Sequence, residues 1–179
     1  MLELNNTFLL VIDIQGKLAH LMHEKEKLFA NAKRMIEGAK TLGFPIIWTE
    51  QIPDKLGPTV PEVAEVLIGI DPIKKSSFSC CGDGGFIQTL ERLPRRQALL
   101  IGIETHICVY QTASDLLKKN YEVHIVADAV SSRMPENKDI ALRKMERLGA
   151  QLTCAEMALY EIMITADHAR FRDILKIVK

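Results

Sequence analysis

The sequence predicts an α/β fold, and two features of the chain indicate it. Apolar runs of strand length alternate with amphipathic stretches of helical length along the chain. The first run, 7–12, is apolar on both faces, which is typical of a buried parallel strand. This alternation predicts three αβα layers in a Rossmann-like arrangement, with helices on both faces of a mostly parallel sheet of five to six strands.

A single domain, 1–179, accounts for the sequence. A chain of 179 residues is long enough to bury a sizeable core. It contains no internal repeat, low-complexity segment or linker. We expect strands at 7–12, 45–49, 97–101, 121–127 and 150–154, and helices at 24–42, 61–67, 85–93, 108–120, 137–148, 155–162 and 167–177.

The clearest helix is predicted at 24–42. Its apolar side chains recur at helical spacing on one face, and Gly43 follows as a C-cap. Residues 50–85, by contrast, are punctuated by prolines and glycines and show no sustained period. Because a long irregular segment in a compact domain usually carries function, we expect this segment to contribute to a site.

The composition excludes several classes of function. With 23 basic and 23 acidic side chains, the formal net charge is zero, which argues against binding to nucleic acid or to an anionic membrane. No run approaches the ~20 apolar residues of a membrane span, and 1–6 lack a secretory signal. The four cysteines have no zinc spacing. We therefore expect free thiols, a cytoplasmic location and no cofactor.

Two predicted strands end near residues that can carry chemistry, and ligands of parallel sheets bind beyond such strand ends. Asp13 follows the first strand, where its carboxylate can act as a general base or cap a turn. Cys108 lies at the start of a predicted helix, six residues after Gly102. Backbone N–H groups and the helix dipole there favour the nucleophilic thiolate. A small core cysteine is the alternative interpretation.

Lys75 lies in the irregular segment, and by default it is a solvated surface charge. If it folds over the strand ends, its cation would lower the pKa of the thiol. Backbone N–H groups between Gly102 and Cys108 would stabilise an oxyanion on a substrate carbonyl. A thiol, the Asp13 carboxylate and a cation at one edge of one sheet together predict a nucleophilic site.

Five segments of the chain match motifs of a known superfamily. They are 11–15 (VIDIQ), 49–51 with 56–61 (TEQ and LGPTVP), 75–79 (KSSFS), 102–108 (GIETHIC) and 126–133 (VADAVSSR). With these motifs in this order, the chain resembles the isochorismatase-like cysteine hydrolases, a superfamily that includes nicotinamidases and N-carbamoylsarcosine amidase. It is most similar to the isochorismatase domain-containing branch, and the resemblance covers essentially the whole chain.

The resemblance implies a catalytic triad of Asp13, Lys75 and Cys108. Lys75 fits the family pattern of a lysine, two residues, phenylalanine and serine, whereas Lys74 does not. In this family the aspartate takes the thiol proton, the cysteine attacks a carbonyl, and water hydrolyses the acyl thioester. The resemblance also implies a cis peptide bond before Glu104, which turns the Glu104 N–H toward the site beside that of Cys108 as the oxyanion hole.

The metal motif of nicotinamidases is absent from this chain. Residues 50–54 (EQIPD) contain no histidine, although nicotinamidases carry Asp-x-His after this strand. The departure implies that there is no catalytic metal and that nicotinamide is not the substrate. True isochorismatases lack the nucleophilic cysteine, so Cys108 instead implies amidase-type hydrolysis of a small amide or a related carbonyl compound. The family also implies a homo-oligomer.

Five further residues are candidates for the substrate pocket: Gln15, Trp48, Gln51, Phe78 and Ile103. Three of them also have a structural interpretation, since Gln51 suits a turn, Trp48 suits a core and Phe78 suits an anchor for the Lys75 segment. Two other functions compete with hydrolysis. The chain could be a catalytically silent interaction or scaffold protein of the same fold, or a thiol redox sensor, although no resolving cysteine lies near Cys108 in sequence.

Four other residues or groups have mainly structural interpretations. His106 lies two residues before the thiol and does not face it on a helix. Asp128 is expected to cap or turn the chain. Arg133 has two interpretations, binding of a substrate carboxylate or pairing with a surface acid, and the second is favoured. The remaining cysteines, Cys80, Cys81 and Cys154, are expected to be incidental thiols.

Overall fold

The computed structural model describes residues 1–179 and contains a six-stranded sheet with parallel pairing throughout. The strands are β1 (Thr7–Ile12), β2 (Ile46–Gln51), β3 (Ile73–Lys75), β4 (Gln97–Ile103), β5 (Glu122–Ser131) and β6 (Gln151–Thr153). Their order across the sheet is β3-β2-β1-β4-β5-β6. The first strand of the chain therefore lies inside the sheet, with a neighbour on each side.

Nine α-helices accompany the sheet. They are α1 (Gly16–His20), α2 (Lys25–Leu42), α3 (Pro53–Leu56), α4 (Pro61–Ala64), α5 (Gly84–Glu91), α6 (Tyr110–Lys118), α7 (Pro135–Arg147), α8 (Ala155–Met163) and α9 (Phe171–Val178). A 3₁₀ turn at Cys80–Gly82 and a π-helical turn at Thr105–Val109 complete the structure. None of the helices is long and apolar enough to cross a membrane.

The helices cover both faces of the sheet. On one face, a core of 28 buried residues includes Met35 of α2, Leu159 of α8 and Ile174 of α9. On the other face, a core of 20 buried residues includes Phe86 of α5 and Met145 of α7. Successive side chains of β1 alternate between the two cores, as the pleat of a strand requires. The predicted three-layer αβα fold is confirmed.

Helix α2 matches its prediction to within one residue at its start. The side chains predicted to share one face are all buried: Leu28, Ala32, Met35, Ile36 and Ala39. Gly43 ends the helix with a φ of 83°, a left-handed conformation that glycine adopts without a steric penalty. The apolar period and the C-cap together were sufficient to predict this element.

The segment 50–85 is more regular than its sequence indicates. It contains β3, α3 and α4, and α4 ends at Ala64, short of the predicted 61–67. Strand β3 has three residues and pairs only with β2, so it is too short to show an alternation. Helix α1 was also not predicted, because five residues are too few to show a helical period.

Strand β5 runs to Ser131, four residues beyond its predicted end at 127. A register shift between Leu100 and Gly102 allows Val130 and Ser131 to pair with the end of β4. This irregularity arises from the pairing of two distant strands, so the sequence of β5 alone did not indicate it.

The sheet reverses its strand order between β1 and β4, which is where a ligand cleft is expected in this architecture. The two strands approach each other closely at Gly102. A Cβ built on Gly102 would lie 2.0 Å from the backbone oxygen of Ile12, and its φ is +125°. Only glycine fits here, and it brings the chain after β4 against the chain after β1.

Candidate active site

Asp13 directly follows β1 and is buried. Thr49 Oγ1 donates a hydrogen bond to Asp13 Oδ1 at 2.8 Å, and Lys75 Nζ lies 2.6 Å from Asp13 Oδ2. The backbone N–H of Asp13 also donates to the carbonyl of Thr49 at 3.3 Å. Residues at the ends of β2 and β3 thus hold both carboxylate oxygens in a fixed orientation.

Lys75 is the last residue of β3, and its side chain is 0% exposed. Besides Asp13, its ammonium donates to Gln51 Oε1 at 2.7 Å and to the carbonyls of Ser77 at 3.1 Å and Phe78 at 3.3 Å. An ammonium has three protons, and here four acceptors surround it. Lys75 is therefore a buried cation whose ammonium protons all have acceptors within the protein. Its interpretation as a solvated surface charge is wrong.

Cys108 lies in the π-helical turn immediately before α6 and is buried. Burial raises the pKa of its thiol, and the negative charge of Asp13 raises it further, while the cation of Lys75 opposes both effects. The thiol is consequently neutral in the resting site. The expectation that the helix start favours the thiolate is wrong, because desolvation and a facing carboxylate outweigh the helix dipole.

A cavity of about 100 Å³ brings the thiol and the carboxylate together, since both Asp13 and Cys108 line it. Gln51 and Glu104 are its other polar residues. The rest of its wall is apolar and consists of Leu18, Leu56, Phe78, Ile103 and Ile107. Lys75 lies behind Asp13 and acts on the cavity through its charge.

Glu104 directly follows β4 and lines the cavity. A cis peptide bond links Ile103 to Glu104, as the motif implied. The backbone N–H of Glu104 donates to no acceptor in the protein, and its carboxylate accepts hydrogen bonds at 3.0 Å from both the backbone N–H and Nε of Arg133. Arg133 therefore pairs with a buried acid and not with a surface acid. The free Glu104 N–H is a candidate donor to a substrate carbonyl.

The family model described as the isochorismatase domain matches residues 7–157 of this chain. This chain belongs to the isochorismatase family. Among its relatives, isochorismatase domain-containing protein 2 of Xenopus laevis is 39% identical over 177 residues, which cover 97% of this chain and 83% of that protein. The resemblance drawn from the five motifs is thereby confirmed.

Solved structures of isochorismatase-like proteins share the fold. The structure of MAR1 ribonuclease from Caenorhabditis elegans is 36% identical, with a TM-score of 0.93 and coverage of 99% of this chain and 91% of that one. An octameric hydrolase of unknown specificity from Escherichia coli is 21% identical, with a TM-score of 0.88 and coverage of 98% and 94%. At that identity, the second likeness shows the fold alone.

Three of the five pocket candidates line the cavity in this isochorismatase-family chain: Gln51, Phe78 and Ile103. Trp48 does not, which corrects its assignment to the pocket. Its Nε1 donates to Thr59 Oγ1 at 2.9 Å, and its ring packs against the core beneath α2. Because the side chains of β2 alternate between faces, the position before Thr49 points away from Asp13.

Gln15 also does not line the cavity, and its side chain has a structural role instead. Its Nε2 donates to the carbonyls of Gln51 at 3.2 Å and Gly57 at 2.7 Å, while its Oε1 accepts from the backbone N–H of Gln51 at 2.6 Å. Gln15 thus ties the chain after β1 to the end of β2 and to the loop after α3. It supports the cavity wall from behind.

Four residues near the site were not predicted from the sequence. Leu18, Leu56 and Ile107 line the cavity, and Thr49 holds Asp13. Leu18 and Leu56 lie on α1 and α3, helices too short to show a period. Thr49, however, ends a predicted strand, so the rule applied to Asp13 would have indicated it.

Two other polar residues have structural roles. His106 Nδ1 lies 3.0 Å from Ser132 Oγ, and the side chain does not line the cavity. Asp128 lies within β5 and does not end it, and its Oδ1 accepts a hydrogen bond at 2.9 Å from the backbone N–H of Ala155, so it ties β5 to the start of α8 and does not cap the chain that follows it. In addition, no group of three or more His, Cys, Asp or Glu side chains is arranged to hold a metal ion.

Cys80 lies closer to the site than its sequence position indicates. Its Sγ is 3.8 Å from Thr49 Oγ1, and it belongs to the same buried core as Cys108. Burial, followed by the charge of Asp13, raises the pKa of the Cys80 thiol to about 12. It is therefore a second neutral thiol behind the carboxylate, and it does not line the cavity.

Proposed function

We propose that this protein is a metal-independent cysteine hydrolase that cleaves the C–N bond of a small amide or a related carbonyl compound. One observation carries the proposal: the thiol of Cys108 and the carboxylate of Asp13 line the same cavity, with Lys75 paired to the carboxylate at 2.6 Å. A nucleophile, a base and a cation in this arrangement are the components of nucleophilic acyl transfer.

In the first step, Cys108 Sγ attacks the substrate carbonyl carbon while Asp13 accepts the thiol proton. Because the raised pKa of Cys108 keeps the resting thiol neutral, proton transfer accompanies the attack. The carbonyl π electrons move to oxygen, and the backbone N–H groups of Glu104 and Cys108 stabilise the resulting oxyanion. Lys75 stays hydrogen-bonded to Asp13 and holds it in position for the transfer.

In the second step, the oxyanion collapses, the C–N bond breaks, and protonated Asp13 returns its proton to the leaving nitrogen. Ammonia or an amine departs and leaves an acyl thioester on Cys108. Water then attacks the thioester carbonyl as Asp13 accepts its proton, and the S–C bond breaks to release the acid and restore the thiol. Each proton that Asp13 takes is returned, so the cycle closes with the residues of the site.

The direct test of this proposal is to trap the acyl enzyme. A panel of small amides is incubated with the wild-type protein, and the intact mass is measured after acid quench. We expect a mass increase that peptide mapping assigns to Cys108, together with ammonia release that Cys108→Ala abolishes. Cys154→Ala is the matched control, because Cys154 does not line the cavity. Equal ammonia release by Cys108→Ala and wild type would disprove the mechanism.

The alternative functions have less support. The raised pKa of Cys108 leaves little thiolate to react with peroxide, which disfavours a redox sensor. A silent scaffold has no need for a buried ion pair beside a thiol. The Caenorhabditis elegans neighbour is a ribonuclease, yet the cavity here is lined by no basic residue that would bind a phosphate. A cytoplasmic location and a homo-oligomer remain predictions.

A further inference from the structure

The wall of the cavity around the thiol is predominantly apolar. Leu18, Leu56 and Phe78 come from the α1, α3 and Lys75 segments, and Ile103 and Ile107 flank Glu104. A group bound beside Cys108 must contact these side chains. Contact with such a wall favours a hydrocarbon substituent, because burying a polar group there without a partner costs free energy.

No cation in the cavity is available to pair with an anionic substrate. Lys75 does not line the cavity, and its ammonium already faces Asp13, Gln51 and two backbone carbonyls. Arg133 does not line the cavity either, and its Nε is bonded to Glu104. Both acids that line the cavity form ion pairs, Asp13 with Lys75 and Glu104 with Arg133. The cavity therefore contains no unpaired positive or negative charge.

Two lysines without an ion pair lie outside the cavity. Lys17 and Lys55 line a separate and more open surface groove that shares Leu18 and Leu56 with the cavity. Exposed lysines on an open groove keep their hydration and bind anions weakly. They provide a competing hypothesis for anion recognition that an experiment can address.

The size of the cavity limits the substituent. About 100 Å³ is well below the roughly 300 Å³ at which typical ligand pockets begin. A cavity of this size accommodates a short substituent of a few carbon atoms and no long chain. The backbone N–H groups of Glu104 and Cys108 are the donors for the single carbonyl oxygen of the scissile group.

Resting on the proposed function, we infer that the acyl group taken by this site is short, uncharged and apolar: the substrate class is small aliphatic carboxamides or their close analogues. The carbonyl oxygen lies against Glu104, and the hydrocarbon chain lies against Leu18, Leu56 and Ile107. Carboxylated amides and amides with long chains are excluded, the first by uncompensated charge and the second by volume.

The test uses a pair of amides with the same number of non-hydrogen atoms and different charge. Isovaleramide carries an isopropyl group where malonamate carries a carboxylate. We expect kcat/KM for ammonia release to favour isovaleramide by about 100-fold or more, because the carboxylate would be desolvated without a partner. Octanamide tests the size limit and should be hydrolysed more slowly than isovaleramide.

Binding is measured separately from turnover in the double variant Asp13→Asn with Lys75→Met, which lacks the base and leaves no unpaired cation at the site. Each amide is tested for protection of Cys108 from alkylation by iodoacetamide, and peptide mapping reports the modified thiol. We expect protection by isovaleramide at concentrations at which malonamate gives none.

A variant that adds a cation tests the charge argument directly. Leu56 lines the cavity and is 38% exposed, so an arginine there can keep its guanidinium partly in water. Leu56→Arg should raise kcat/KM for malonamate relative to isovaleramide by about tenfold or more, whereas the neutral control Leu56→Met should not. An unchanged ratio in Leu56→Arg would contradict the charge argument.

The outcomes separate this inference from the proposed function. If Cys108-dependent hydrolysis favours malonamate over isovaleramide, the inferred substrate class is wrong. The proposal that the protein is a cysteine hydrolase is then still supported. If Lys17→Gln with Lys55→Gln abolishes that preference, the outer groove sets the specificity. Protection by isovaleramide without any hydrolysis overturns the hydrolase and supports the substrate class. Absence of both protection and hydrolysis with all three amides overturns the substrate class, and the acyl-enzyme test with the wider panel then decides the cysteine hydrolase.

Discussion

At the scale of single residues, Asp13 has two opposing effects on Cys108. As a base, it is needed to take the thiol proton during attack. As a buried negative charge, it raises the pKa of the same thiol and keeps it neutral at rest. A site of this kind is protected from unspecific thiol chemistry until a substrate carbonyl is in place, and removing Asp13 should separate the two effects.

We predict that Asp13→Asn increases the reactivity of Cys108 while it abolishes hydrolysis. Loss of the carboxylate charge lowers the pKa of the thiol, and each pKa unit increases the thiolate fraction about tenfold at a pH below that pKa. Alkylation by iodoacetamide at pH 8, followed by peptide mapping, should give faster labelling of Cys108. Cys80 is completely buried and should stay unlabelled if the variant is folded. Slower labelling of Cys108 would contradict this account.

A second prediction concerns the buried ion pair. Lys75→Met leaves the Asp13 carboxylate buried without its cation, which should lower the free energy of unfolding by about 3–5 kcal/mol. The double variant Asp13→Asn with Lys75→Met removes both charges and should recover much of that loss. Urea denaturation of the four proteins measures the coupling. Additive losses would show that the pair does not act as a unit.

At the scale of elements, the sequence predicts the helices and strands whose apolar pattern repeats over many residues and whose ends are clearly marked. Helix α2 was predicted because its apolar face repeats and Gly43 ends it, and β1 because it is apolar on both faces. Strand β3 was not predicted, since it has three residues and depends on pairing with β2. Lys75 belongs to that strand, and so only the motif placed it in the site.

The chemistry of the site was predictable only in part, for a physical reason. Asp13 and Cys108 follow strands whose ends must meet in a parallel sheet, so the sequence indicated their proximity. The neutral state of the thiol depends on burial and on a facing charge, and neither can be read from local sequence. Leu18 and Leu56 reach the cavity from short helices that have no sequence period.

Gly102 provides a prediction at this scale. Gly102→Ala forces a Cβ to within 2.0 Å of the backbone oxygen of Ile12, between β1 and β4, at a φ of +125°. Gly149→Ala is the matched control, with a φ of +103° and no atom within 4 Å. We expect the control to cost about 1–2 kcal/mol of unfolding free energy and Gly102→Ala to cost clearly more. Equal losses in chemical denaturation would contradict a close approach of the strands.

At the scale of the whole molecule, buried thiols make stability depend on alkaline pH. The pKa of Cys80 is raised to about 12 in the folded protein, above its ordinary value. In the unfolded chain, the thiol loses its proton at lower pH, so the unfolded state binds fewer protons in this window. The contribution is fully present below about pH 9 and is lost as the pH rises toward 12, by up to about 1.4 kcal/mol per pH unit.

The corresponding prediction compares two core variants between pH 8 and pH 10.5. Cys80→Ala should reduce the slope with which the free energy of unfolding falls with pH, because the variant lacks one of the buried thiols. Leu90→Ala creates a cavity in the same core and should keep the wild-type slope. Urea denaturation at several pH values measures both. Identical slopes for Cys80→Ala and wild type would show that the pKa of Cys80 is the same in the folded and unfolded chains.

The interior position of β1 has a consequence for the growing polypeptide. Leu9 pairs with Ile46 of β2 on one side and with Leu99 of β4 on the other. Strand β1 is synthesised first, and its second neighbour, β4, is synthesised many residues later. A nascent chain that stops before residue 97 exposes an apolar strand edge, which is a template for aggregation. The second pairing of β1 and the meeting of Asp13 with Cys108 thus become possible at nearly the same point of translation.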